Sequence, residues 1–553
     1  MSQFLFHLPD GHWIPPAYRP CLLAADMMES PIPSQVKWEE ERLTVTLLQH
    51  DACRLHALVA TPHGAAVLLP TVWLFPQWRP YRLELELIRG LISRLRRGVE
   101  VWQSNGLPLP DSLAPELNRL THAFLKGWRK QNESTCGEQM WPLLETGLEL
   151  LSILPKSLAD SQGCSLFQPW TDEPPKPDSP NVPKVEQTGK FGSGIRLECE
   201  DLGWSGLEIA ATDPKPARRF FRLPLLARKT KSEKSPSSDE AIPDTTETRV
   251  RLSRLIGSSQ LKWVETGWSW KQAMRIGNGD AKGQHEMTTT LRDIREQGRR
   301  IIWGPALPLQ EGCLPEGTKI GSDGLSVSQA FSAHLAHQLP GLLPYVDLIH
   351  VVSGINGVGI AGLTPAIQYN LVRHSLETIA RVAPNLSTMI SFAQPLGERL
   401  AWSVGGQHPD QFLGKLAKER IPIQVIGLEL DLGYFPTGTL PRDPLQWVME
   451  LQRWAVWGVP ILVFLRVPSR PTADPKRLTI APGLHAEPSE ENQQAFIQEF
   501  TRLLSALPWI HGVVYNQWSD QGDRFGDSGL NTREGQPKRF LREWTDCPEA
   551  IRG

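Results

Sequence analysis

Alternating apolar and polar positions open the chain. Arg42-Leu-Thr-Val-Thr-Leu47 and Arg54-Leu-His-Ala-Leu-Val59 alternate, and a further apolar run spans Ala65 to Leu69. Strand side chains point to opposite faces in turn, so these runs predict a small antiparallel sheet. Leu83, Leu87, Leu91 and Leu95 then recur every fourth residue, the spacing of one helix face, and helical patterns continue over about 114–128 and 138–154. After Arg249 short apolar runs alternate with longer helical patterns. The predicted strands are 260–264, 300–304, 347–352, 387–393, 424–430, 460–465 and 512–515, with helices over 364–382 and 443–457 among those between them. Thr364-Pro365 supplies a helix N-cap with proline at the first helical position.

Seven strands in βα alternation, with an eighth hidden upstream near 194–199 or 220–226, predict an α/β fold: a (β/α)8 barrel following an N-terminal β-rich and helical accessory domain. An open doubly wound sheet is the alternative. Residues 1–165 form the expected accessory domain and 191–546 the barrel. Between Gln168 and Lys190 lie six prolines, including Glu173-Pro-Pro-Lys-Pro-Asp-Ser-Pro180, so 166–190 reads as an extended linker. The polar tract Arg228-Lys-Thr-Lys-Ser-Glu-Lys-Ser-Pro-Ser-Ser-Asp-Glu240 carries no large apolar residue, and about 228–247 reads as a disordered insert in a loop.

With 58 Lys+Arg against 60 Asp+Glu the chain has a net charge of -2, which leaves no basic footprint for nucleic acid. The N-terminus lacks a basic segment followed by an apolar run, and no stretch approaches eighteen uninterrupted apolar residues, so neither secretion nor a membrane span is expected, and a cytoplasmic setting is. Seven cysteines without a Cys-x-x-Cys give neither a disulfide framework nor a zinc site. Tryptophan is unusually common, at 20 against 17 Phe; core filling is its ordinary role, although Trp268, Trp270 and Trp518 follow strand ends and could line a groove.

Gly357-Val-Gly-Ile-Ala-Gly362 spells a dinucleotide-binding pattern, yet no acidic residue ends a strand about 20 positions on. A plain barrel loop is the better reading, and no cofactor is expected. His334 and His337 lie three apart on a helical stretch without an obvious third ligand, so packing or surface roles are expected there and no metal.

Ser258-Ser-Gln-Leu-Lys-Trp263 resembles the second-strand motif Glu-Asn-x-Met-Lys-Trp of glycoside hydrolase family 10, the xylanases. Gly512-Val-Val-Tyr-Asn-Gln-Trp-Ser-Asp520, then Gly529-Leu and Glu534-Gly-Gln-Pro-Lys538, is similar to that family's closing motifs. The resemblance covers roughly 257–544 and implies an eight-stranded barrel with a groove for a polysaccharide or oligosaccharide such as xylan. Lys262, Trp263, Asn516, Trp518 and Arg466 are the implied substrate-binding positions.

Retaining hydrolysis needs two carboxyl groups about 5 to 5.5 Å apart, one as nucleophile and one as acid then base. The resemblance places Gly354 at the family's acid/base position and Leu465 at its nucleophile, and neither can ionise or attack. Glu429 and Asp431 in Val425-Ile-Gly-Leu-Glu-Leu-Asp431 share one strand face, about 6.6 Å apart along the strand; they are the candidates for relocated catalysis. They can equally pair with Arg466, Lys262 or Arg442 as a structural layer. The expectation is a catalytically degenerate, xylanase-like barrel that binds a β-linked glycan; the alternatives are an active hydrolase using Glu429 and Asp431, or an intracellular scaffold with no sugar ligand.

Overall fold

The computed structural model describes residues 1–160, 192–196 and 262–546, apart from short segments at 9–13, 28, 49, 62–63, 105–108, 131–135, 277–280, 322–323, 357–361, 403–406, 473–476, 484–486 and 521–524. The proline-rich tract 166–190, the polar insert 228–247, most of the glycine-rich run 357–362 and the start of the motif at 258–261 lie outside the described residues.

Eight parallel strands form the barrel: Gly192–Arg196, Trp263–Thr266, Arg300–Trp303, Leu348–Ile355, Ser387–Ala393, Val425–Asp431, Ile461–Arg466 and Ile510–Tyr515. Each pairs with its successor. The last pairs with the first, Val514 opposite Gly194. That closure excludes the open sheet and fixes the hidden first strand at the earlier of its two candidate places. Helices cover the outside, among them Pro365–Val382, which begins at the expected cap: Ile367 N donates to Thr364 Oγ1 at 3.4 Å.

Parallel strands covered on both faces read as continuous apolar runs, and the sixth and seventh strands are buried at every position. Inward positions are identified by one apolar cluster that takes Ile302, Leu348, Met389, Val425, Leu462, Phe464 and Val514 from six strands, with Trp263 against it. Gly427 faces this interior because a Cβ there would stand 2.6 Å from Ser391 Cβ and 2.9 Å from Phe464 Cε2. The Phe464 ring uses the space that glycine leaves.

The N-terminal strands differ from the single antiparallel sheet expected. They form two four-stranded sheets. Arg42–Leu47 pairs with Ser2–His7 and Ser34–Trp38, and Ser2–His7 pairs in parallel with Tyr81–Arg82. Arg54–Ala60 instead pairs with Leu23–Ala25 and Ala66–Pro70. Helices Leu83–Ser104, Leu113–Trp128 and Cys136–Asp160 follow. Leu83, Leu87, Leu91 and Leu95 are all buried, and one apolar core runs from Phe4 through these helices into the barrel. No helix among the described residues is long and apolar enough to cross a membrane.

Candidate functional site

Chemistry in a (β/α)8 barrel gathers at the carboxyl ends of the strands. Above the apolar layer the inward positions turn polar. Glu265 of the second strand, His350 of the fourth and Ser391 of the fifth are fully buried, and Glu429 of the sixth nearly so. They form one chain: Glu265 Oε1 lies 2.5 Å from His350 Nδ1, and His350 Nε2 lies 2.7 Å from Ser391 Oγ. The Ser391 hydroxyl donates to Glu429 Oε1, which also accepts from Gly354 N at 2.8 Å. The His350 ring stacks on Phe464 with centroids 5.3 Å apart.

Beyond them lies a compensated pair, with Arg466 Nη1 3.2 Å from Asp431 Oδ1. The Arg466 guanidinium sits 3.8 Å from the Phe525 ring centroid, and Nη2 donates to Asn516 O at 3.5 Å. Arg466 Nε and Asn516 Oδ1 are buried with no hydrogen-bond partner. Buried polar atoms are rarely left unmatched, because an unmet one costs about 1–3 kcal/mol. After the eighth strand, burial raises the Asp520 carboxyl above its ordinary range, against the pull of Lys538 Nζ at 2.8 Å.

The two relocated candidates therefore stand inward on one wall, as their spacing requires, but each is engaged with a different partner. Asp431 takes the structural role of pairing with Arg466. Arg442, another partner considered, binds Glu398 at 2.7 Å instead. Carboxyls from separate strands do exist, at Glu265 and Glu429. The imidazole and hydroxyl linking them fill the space between, so no glycosidic bond can pass there.

Four expected placements are corrected. Leu465 does not occupy an inward tip: it belongs with Ile461, Val463 and Val467 to the cluster facing the helices, and Arg466 holds the inward place. Lys262 is exposed just before the second strand, and Trp263 begins it. Both are at the amino end, opposite the mouth, where Trp263 joins the apolar layer and Arg300 lies 5.3 Å over its ring. Trp518, like Trp268 and Trp270, is buried in the core and lines no exposed groove. Asn516 and Arg466 are the two implied positions that reach the inward tips.

The sequence reading passed over Glu265, His350 and Ser391. Their signal was present as polar residues at inward parity inside buried strands, where an isolated polar side chain must have a partner. His334 is buried and His337 exposed, so the two point apart. Among the described residues no group of three or more His, Cys, Asp or Glu side chains converges as a metal site would.

No family model matches the sequence, and no curated protein matches it either. Solved structures similar to the chain include xylanase 10B from Thermotoga maritima, at 10% identity over 55% of this chain and 91% of that one with a TM-score of 0.41. A family 10 endoxylanase from a sugarcane soil metagenome has 12% identity over 64% and 97%, also with a TM-score of 0.41. The endo-1,4-beta-xylanase XylE of Penicillium canescens has 13% identity over 55% and 91%, with a TM-score of 0.40. The barrel assignment rests on the closed ring of eight parallel strands in this chain itself.

Proposed function

We propose that the mouth of this barrel binds a neutral, hydroxyl-rich ligand such as a β-linked glycan and has lost retaining glycoside hydrolysis. The carrying observation is the pair of unpartnered atoms Arg466 Nε and Asn516 Oδ1, one donor and one acceptor at adjacent inward tips. A sugar hydroxyl both donates and accepts, the complement that an unmet donor and an unmet acceptor call for. Charge supports the same ligand class: Asp431 pairs with Arg466, and the carboxyls of Glu265 and Glu429 stand on the inward face with no unpaired cation described beside them, which disfavours a phosphorylated or carboxylated ligand. Loss of hydrolysis is supported by Gly354 near the end of the fourth strand and Arg466 at the inward tip of the seventh, where the family that the motifs resemble would need carboxyls for double displacement.

Calorimetry with xylo-oligosaccharides and turnover of aryl xylosides test this together. Binding without turnover is expected, weakened about tenfold by Asn516→Ala, the effect of losing one hydrogen bond in a dry site. Turnover abolished by Glu429→Gln would replace this reading with relocated hydrolysis. Silence in both assays would leave the scaffold.

A further inference from the structure

Three consecutive loops at the barrel mouth are walled in by the N-terminal sheets. The short helix Glu398–Ala401 follows the fifth strand, Leu440 the sixth and Ile480 the seventh. Ala401, Leu440 and Ile480 form one buried apolar cluster with Cys21, Leu23, Leu58, Ala66 and Leu68 of the N-terminal region. The join is also polar. Leu68 N donates to Pro441 O at 3.2 Å, and Arg94 Nη1 lies 2.7 Å from Asp443 Oδ2, both side chains being buried.

The loops behind this seam are tied to one another as well. Tyr434–Phe435, after the sixth strand, pairs antiparallel with Leu478–Thr479, after the seventh. Gln394, at the end of the fifth, donates through Nε2 to Pro436 O at 2.7 Å and Gly438 O at 2.9 Å. Opening this wall would expose the leucines at the seam and strand the buried Arg94–Asp443 pair, and separating the partners of such a pair is strongly destabilising. The wall is therefore part of the resting fold.

We infer that the N-terminal region makes the mouth a blind site that accepts the end of a glycan chain or a short oligosaccharide and rejects the interior of a polymer. This rests on the mouth being the glycan site proposed above. A polymer bound by its interior must enter the mouth on one arc and leave on the opposite one. Among the described residues the arc of the fifth to seventh strands carries packed loops with a second apolar core behind them, so a chain arriving at Asn516 and Arg466 from the opposite arc meets Glu429, Asp431 and that wall. Selection is steric: each sugar unit can be recognised alike, but only a terminal one has no continuation to accommodate.

The test is binding capacity against chain length, using the full chain with xylo-oligosaccharides of two to six units and soluble linear xylans of defined length, titrated calorimetrically. Sites at ends are counted per molecule, so the capacity per gram of ligand should fall in inverse proportion to chain length while the affinity per end stays constant. Capacity per gram that stays level from hexasaccharide to polymer would mean interior binding and would overturn the inference while leaving a glycan site at the mouth intact. Failure of every oligosaccharide and polymer to bind would remove the glycan site and this inference with it. The end used is identified by repeating the titration with oligosaccharides whose reducing ends carry an aminopyridine label. Loss of binding assigns that end, and unchanged binding assigns the other.

Discussion

Gly354 N donates to Glu429 Oε1 at 2.8 Å. Gly354, which the motif resemblance would set at a catalytic acid's position, thus acts through its backbone, orienting a carboxyl from a strand two places away in the ring. Its backbone conformation allows this, since φ is +73° and a Cβ would stand 3.1 Å from Leu309 O. A side chain here would strain the main chain and press on a neighbouring carbonyl.

Gly354→Glu should consequently fail to restore an acid. The left-handed conformation is costly for glutamate, so the variant should lose about 1–3 kcal/mol of stability. Turnover of aryl xylosides should stay at background. Denaturant unfolding and a chromogenic assay check the two halves; a variant as stable as the parent would mean that the turn at 354 relaxes freely.

His350 holds two walls of the barrel together through Glu265 and Ser391, all at full burial. Replacing it with phenylalanine keeps the ring stacked on Phe464 but takes the imidazole from a buried carboxyl, and a loss of about 3–5 kcal/mol is expected. Adding Glu265→Gln should recover part of it, because a buried amide loses less than a buried carboxyl when the imidazole is removed. A double-mutant cycle measured by urea unfolding reads this coupling; additive losses would mean that the 2.5 Å contact carries no energy of its own.

Strand existence was legible in the sequence and strand register was not. Strands buried on both faces show as apolar runs, and for this reason Ser387–Ala393 was located to the residue. The same double burial erases the alternation that would reveal which side chains point inward. The reading accordingly put leucine at the seventh strand's tip where the inward residue is Arg466, and it began the second strand at 260, three residues before Trp263, which moved Lys262 and Trp263 from base to mouth. In the N-terminal region alternation located Arg42–Leu47 correctly. Which strands share a sheet depends on distant partners such as Ser2–His7, and no local pattern carries that information.

Arg94→Ala should weaken the whole molecule and not the N-terminal region alone. Asp443 is buried, accepts from Arg94, and caps the helix Pro444–Trp454 through Gln446 N at 2.9 Å. The expected loss is about 3–5 kcal/mol, from an uncompensated buried carboxylate. Because one apolar core spans both regions, scanning calorimetry should give a single transition moved to lower temperature. Two separated transitions would mean that the regions melt independently and that the seam is weak.

His334 gives the fold a defined acid sensitivity. It lies on the helix Leu325–Leu342, with its ring centroid 6.3 Å from that of Trp270 and both ring nitrogens unpartnered. Burial pushes its pKa down to about 4, with the nearby His337 adding a smaller push in the same direction. In the unfolded chain an ordinary histidine titrates near 6.5. Between these values the unfolded state binds the proton and the folded state does not, so stability is intact above about pH 6.5 and declines as the pH falls toward 4. The full difference is roughly 3 kcal/mol, at 1.36 kcal/mol per pH unit. His334→Phe removes the titrating group while keeping an aromatic ring beside Trp270. Urea unfolding at pH 7 and pH 4.5 should therefore give a smaller drop for the variant than for the parent, and equal drops would mean that His334 gains a partner or water when protonated.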